Sequence, residues 1–172
     1  MNLTNVVSGR TRRIARVAAV VSLLVLPVVS TFPKTTLSTK AAPDADPWTT
    51  NQTVTPAALA AELQQEKDPF PQVVYVGVRT LYEGAHIPGA VFHGPGSTPE
   101  GLADLKNFAS TLPRNSKILI YCGCCPLERC PNLRPAFRTL KEMGFKNLRV
   151  LILPTSFAAD WVQKGYPIQK GQ

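Results

Sequence analysis

No cysteine occurs outside one nine-residue window, because all four lie between Cys122 and Cys130. Disulfides spread along the chain are therefore excluded, and a hydrophobic share of 44% supplies a core without them. Long apolar runs are missing as well. The apolar core Val17–Val29 has 13 residues, short of the roughly 20 that span a bilayer. Acids are absent from residues 1–30, which carry Arg10, Arg12, Arg13 and Arg16. No basic run is interleaved with aromatics, so nothing points to nucleic acid. The formal charge of +8 becomes 8 − 4 = +4 without those four arginines. Such an excess suits a small anionic partner, but an ordinary solvated surface with a few extra lysines accounts for it more simply.

Residues 1–30 read as an export signal, with an arginine-bearing start, the short apolar core and a small-residue stretch at Val28-Val29-Ser30. An uncleaved N-terminal anchor is the alternative, and the only membrane attachment the sequence suggests. Without a cysteine near the cleavage point, a lipoprotein anchor is disfavoured. The expected location is periplasmic or extracellular. Residues 31–54, rich in Thr, Ser, Pro and Ala, read as a linker. Residues 55–170 then form one domain.

Within that domain, Thr55-Pro56 opens a helix with Thr as N-cap and Pro at the first position. Gln72–Val76 is a strand, and Tyr82–Ala90 is dense in turn residues. Val91-Phe92 follows, and Ser97-Thr98-Pro99-Glu100 opens a helix reaching about Leu112. Lys117–Tyr121 is a central strand, Asn132–Met143 a helix stopped by Gly144, and Leu148–Leu153 a strand. Ser156–Lys164 is a last helix closed by Gly165. Alternating strands and helices predict an α/β domain, with a mostly parallel central sheet covered by helices on both faces. The cysteine window then falls where such sheets keep their chemistry, at a strand end just before a helix.

Three blocks, in order, resemble the rhodanese-like family of sulfurtransferase domains. They are Gly77-Val-Arg79 with Gly84-Ala-His-Ile-Pro-Gly-Ala90, then Ile118-Leu-Ile-Tyr-Cys122, then Gly144-Phe145 with Asp160-Trp161 and Gly165-Tyr-Pro167. The resemblance implies sulfane sulfur carried as a cysteine persulfide, from a small anionic donor to a thiol acceptor, without a cofactor. It implies Cys122 as nucleophile at the strand end and Arg129 as oxyanion partner. Arg134 and Gly123 would bind substrate. The family's Cys-x4-Arg spacing also fits Cys124 to Arg129, which makes Cys124 the alternative nucleophile. Gly77 stands where the family has Asp, and the cysteine loop is longer than the family's. A Cys-x5-Arg phosphatase does not fit, since Glu128 and Cys130 occupy the positions that arginine would need.

Two non-catalytic readings stand beside this one. Soft thiolates invite zinc or copper(I), with Cys122, Cys125 and Cys130 as the easier ligand set, though the loop has no His. In an oxidising compartment, Cys125–Cys130 or Cys122–Cys130 could instead close a staple. A Cys124–Cys125 bond would be strained, because neighbouring Cα atoms are only ~3.8 Å apart. Around the loop, His86 reads as a hydrogen-bonded turn residue and His93 as a surface residue. Arg79 is expected to pair with a carboxylate at the sheet edge, Asp160 to cap or pair on the surface, and Trp161 and Tyr166 to cover the core. Asn132 is expected to N-cap the helix after the loop. Nothing in the sequence sets an oligomeric state.

Overall fold

The computed structural model describes residues 45–65 and 70–171. The export signal and most of the linker lie outside these residues. Five strands form one sheet: β1 (Thr53–Val54), β2 (Gln72–Tyr75), β3 (Val91–Phe92), β4 (Ile118–Tyr121) and β5 (Leu148–Leu151). Their spatial order is β1-β5-β4-β2-β3, and every pairing is parallel. Parallel neighbours need crossovers, which here carry α1 (Pro56–Gln64), α2 (Arg79–Gly84), α3 (Pro99–Ser110) and α4 (Leu133–Glu142).

The helix starts follow the capping chemistry that the sequence shows. Thr55 Oγ1 accepts from the Ala58 amide at 3.3 Å, and Thr98 Oγ1 accepts from the Gly101 amide at 3.0 Å. Pro56 and Pro99 each take a first position where no amide is needed. Gly144, at φ 92°, ends α4 in a conformation that a side chain resists.

Strand alternation divides the core in two. Ile118 and Ile120 face α3 and α4, among Leu105, Leu133, Phe137 and Leu140. Leu119 and Tyr121 face the other way, among Leu59 of α1, Tyr82 of α2 and Trp161. The predicted helices on both faces are present. Period two also puts Cys122, the residue after β4, on the α4 side.

Three segments differ from the sequence reading. Residues 45–54, at the end of the stretch read as linker, join the fold. Trp48 is buried edge-on against Phe137 at 5.5 Å, and Thr53-Val54 pairs with Val150-Leu151. Part of the turn-rich Tyr82–Ala90 is helical, because α2 runs to Gly84. The last helix is only a π-helical turn, Ala158–Val162. Asp160 Oδ2 accepts from the amides of Thr155 at 2.6 Å and Ser156 at 3.0 Å, the capping role expected of it.

Candidate active site

β4 is buried along its whole length and delivers Cys122 to the C-terminal edge of the sheet. The chain cannot turn outward at once. Gly123 is buried, and a Cβ there would run into Phe157. Backbone bonds from Phe157 N to Gly123 O at 3.2 Å, and from Leu127 N to Leu153 O at 3.2 Å, tie the loop to the segment after β5. A 3₁₀ turn over Leu127–Arg129 then brings Cys130 back beneath α4.

The result is a sulfur cluster. The sulfur atoms of Cys122, Cys124 and Cys130 all lie within 4.8 Å of one another. Cys122 Sγ is 3.2 Å from Cys124 Sγ, which is also 3.2 Å from Cys125 Sγ. Cys122 and Cys130 are buried; Cys124 and Cys125 are partly exposed. The four cysteines are free, with no disulfide among the described residues. The Asn132 amide donates to Cys122 Sγ at 3.4 Å and to Cys124 Sγ at 3.7 Å.

These contacts separate the thiols. Hydrogen bonding to Cys124 and Cys130, then burial, pushes the Cys122 thiol far up. The bond from Cys122 lowers Cys124 to about 5, with help from Cys125 and Asn132 and against burial. Cys130 falls to about 7, chiefly through Cys122 and then the backbone amides of Asn132 and Leu133. Burial and the contact with Cys124 push Cys125 up to about 12. Cys122 thus keeps its proton and, with one S–H to donate, supports a thiolate on one neighbour at a time. The amides at the start of α4 favour a thiolate on Cys130 rather than on Cys122, the nucleophile that the strand end suggests.

The cationic residues divide too. Arg134, expected to meet substrate, is held by structure. It donates to the carbonyls of Leu127, Glu128 and Cys130 at 3.3 to 3.4 Å and pairs with Asp46 at 2.7 Å. Arg129 is exposed at the loop rim, and among the described residues its side chain has no hydrogen bond or ion pair. Arg79 lies over the Phe92 ring at 4.1 Å, in place of the carboxylate pairing expected of it.

Asn132 occupies the N-cap position without capping. Its Oδ1 accepts from Ser97 N at 3.0 Å while its amide reaches the sulfurs. Sequence spacing gave no sign of this, since the amide reaches across to a strand end ten residues back. His86 is the hydrogen-bonded residue expected, with Nδ1 2.8 Å from Tyr82 O. His93 stacks on Phe108 and meets Asp104 at 3.0 Å. Trp161 is fully buried with Tyr166 against it, as expected of core cover. Tyr75, not singled out by sequence, is buried near the cluster with a hydroxyl that has no partner.

A soft ion would find three ligands in Cys122, Cys124 and Cys130. Thiolates around a tetrahedral zinc at ~2.3 Å stand roughly 3.8 Å apart, close to the spacing here. The set differs from the expected Cys122, Cys125 and Cys130, because it is the Cys124 sulfur that lies within 4.8 Å of both others.

No protein-family model and no curated protein matches the sequence. Solved structures do match the fold. The rhodanese-like domain of the Alr3790 protein from Anabaena sp. is 22% identical over 69% of this chain and 79% of its own, with a TM-score of 0.51. The BH2092 protein from Bacillus halodurans is 19% identical over 69% of this chain and 76% of its own, with a TM-score of 0.54. A thiosulfate sulfurtransferase from Pseudomonas aeruginosa is 22% identical over 70% of this chain and 19% of its own, with a TM-score of 0.51. With every strand pairing parallel and helices on both faces, these likenesses show one thing plainly: the chain has the rhodanese-like fold.

Proposed function

We propose that the domain is a sulfurtransferase that carries sulfane sulfur as a persulfide on Cys124. The carrying observation is geometric. Cys124 is the partly exposed member of the three-sulfur cluster, and Cys122, Cys125 and Asn132 all reach its sulfur. Cys122, the nucleophile suggested by its place at the strand end, is 2% exposed and holds its proton. The more exposed, lowered thiol is the better nucleophile. With thiosulfate as donor, the Cys124 thiolate takes the outer sulfur and sulfite leaves. An external thiolate or cyanide then removes that sulfur and restores the thiolate. Arg129, free at the rim, meets the anionic donor as it approaches. Residues 1–30 support export, so the thiols would work where oxidants compete for them.

Intact mass of the reduced chain before and after thiosulfate tests the reading. Cys122→Ser gains ~32 Da, one sulfur, which cyanide removes as thiocyanate, wild type forms thiocyanate when cyanide is present throughout, and Cys124→Ser does neither. Gain in Cys124→Ser but not in Cys122→Ser would return the nucleophile to Cys122. A second reading, a soft-metal site, rests on the spacing of the same three sulfurs. Native mass after anaerobic copper(I) or zinc addition tests it, with one ion retained by wild type and lost in Cys130→Ser.

A further inference from the structure

Two thiols of the cluster, Cys122 and Cys130, take no sulfur in the transfer proposed above, and Cys122 is the one in contact with the carrier. Cys122 is buried at 2% exposure, so a donor arriving from solvent does not reach it. What it does reach is Cys124, 3.2 Å away sulfur to sulfur. We propose that Cys122 discharges a Cys124 persulfide from within, closing a Cys122–Cys124 disulfide across Gly123 and releasing hydrogen sulfide. The inference rests on the persulfide reading above.

The step balances. Cys122 Sγ attacks the inner sulfur of the persulfide, and a new sulfur–sulfur bond forms between the two cysteines. The bond to the outer sulfur breaks, and that sulfur leaves with the electron pair. The Cys122 proton goes with it, giving hydrogen sulfide. Cys122 is oxidised and the outer sulfur is reduced to sulfide, while the Cys124 sulfur stays at the disulfide level, so no outside oxidant enters. An external dithiol, or two monothiols, reopens the disulfide for the next round.

Geometry selects the pair. A disulfide bond is ~2.05 Å long, so the two sulfurs must close by little more than 1 Å. Cys125 is a poorer partner for Cys124, because adjacent Cα atoms are ~3.8 Å apart and ordinary disulfides need about 4.4 Å or more. Gly123 separates the cysteines by one further residue, and its missing side chain lets the strand end lie against Phe157. Asn132 completes the arrangement. Its amide donates to both sulfurs, at 3.4 and 3.7 Å, and so holds the attacking and the attacked sulfur side by side. The departing sulfur sits on the partly exposed side of the cluster, where solvent receives it.

The test uses the full chain, fully reduced and then freed of reductant, in anaerobic buffer with limiting thiosulfate and no acceptor. Sulfide is followed with a sulfide electrode, and the protein by intact mass and tandem peptide mapping. Wild type releases about one sulfide per chain and ends ~2 Da below the reduced mass, with the bond mapped to Cys122 and Cys124. Cys122→Ser and Cys122→Ala hold the added sulfur, ~32 Da, and release none. Wild type that keeps its added sulfur overturns discharge while leaving the persulfide intact, and that measurement needs no variant to fold. Sulfide release from Cys122→Ala at the wild-type rate, or a disulfide mapped to Cys130, also overturns it. No added sulfur in any variant, with no sulfide, overturns the persulfide reading and the discharge together.

Discussion

Asn132 joins three parts of the molecule through one side chain. Its oxygen holds the Ser97 amide before α3, and its nitrogen donates to the sulfurs of Cys122 and Cys124. A donor to a thiolate lowers the pKa of the thiol, so removing it should move Cys124 back toward its ordinary value. In a Cys125→Ser background, the iodoacetamide rate at Cys124 should rise with pH and level off above the lowered value of about 5. The sign follows from chemistry: the thiolate reacts, and acid below that value protonates it. Asn132→Leu should move the midpoint to higher pH, and a midpoint higher by about 1 would leave about tenfold less thiolate on the acid side. An unchanged midpoint would remove Asn132 from the electrostatics of the site. Gly123 sets a steric limit beside it. Gly123→Ala would drive a methyl into Phe157 and should cost about 1–3 kcal/mol, read as a lower urea midpoint.

At the scale of elements, what was legible from sequence is what short-range chemistry decides. Thr55-Pro56 and Thr98-Pro99 announced α1 and α3, and both threonines cap as their neighbours require. The apolar run Ile118–Tyr121 announced the central strand and therefore the place of the cysteines. Elements defined by partners far along the chain were hidden. Thr53-Val54 has no strand signature in a Thr-rich stretch and becomes β1 only because β5 offers it a free edge. Asn132 looked like an N-cap from its position, and the sulfurs that claim its amide are neighbours only after folding. Cys124 was legible as one of two nucleophiles, and the contact with Cys122 that favours it is a tertiary one. Arg134 looked available for substrate because Asp46 lies 88 positions before it in the chain, at 2.7 Å in the fold. The pre-strand segment should matter accordingly. Trp48→Ala empties a site against Phe137 beneath α4 and should cost about 3–5 kcal/mol by urea denaturation. A loss within experimental error would show that residues 45–54 only lie on the domain.

For the molecule as a whole, the sheet separates two cores, and each holds one of the two tryptophans of the chain. Trp48 packs with the α3 and α4 face, where Cys122 and Cys130 also lie. Trp161 packs with the α1 and α2 face, under Tyr121 and Leu119. β4 contributes alternate residues to both, so neither core can dissolve without exposing the back of the strand that supports the other. Cooperative unfolding follows from that shared strand. Single-tryptophan variants, Trp48→Phe and Trp161→Phe, should therefore each unfold in urea in one transition, with tryptophan fluorescence and far-UV circular dichroism coinciding within each variant. A Leu59→Ala change on one face should move the fluorescence transition of Trp48 on the other, by a destabilisation of about 2–5 kcal/mol. If only the Trp161 signal moved, the two faces would unfold separately, and the cysteine loop would depend on the α3 and α4 core alone.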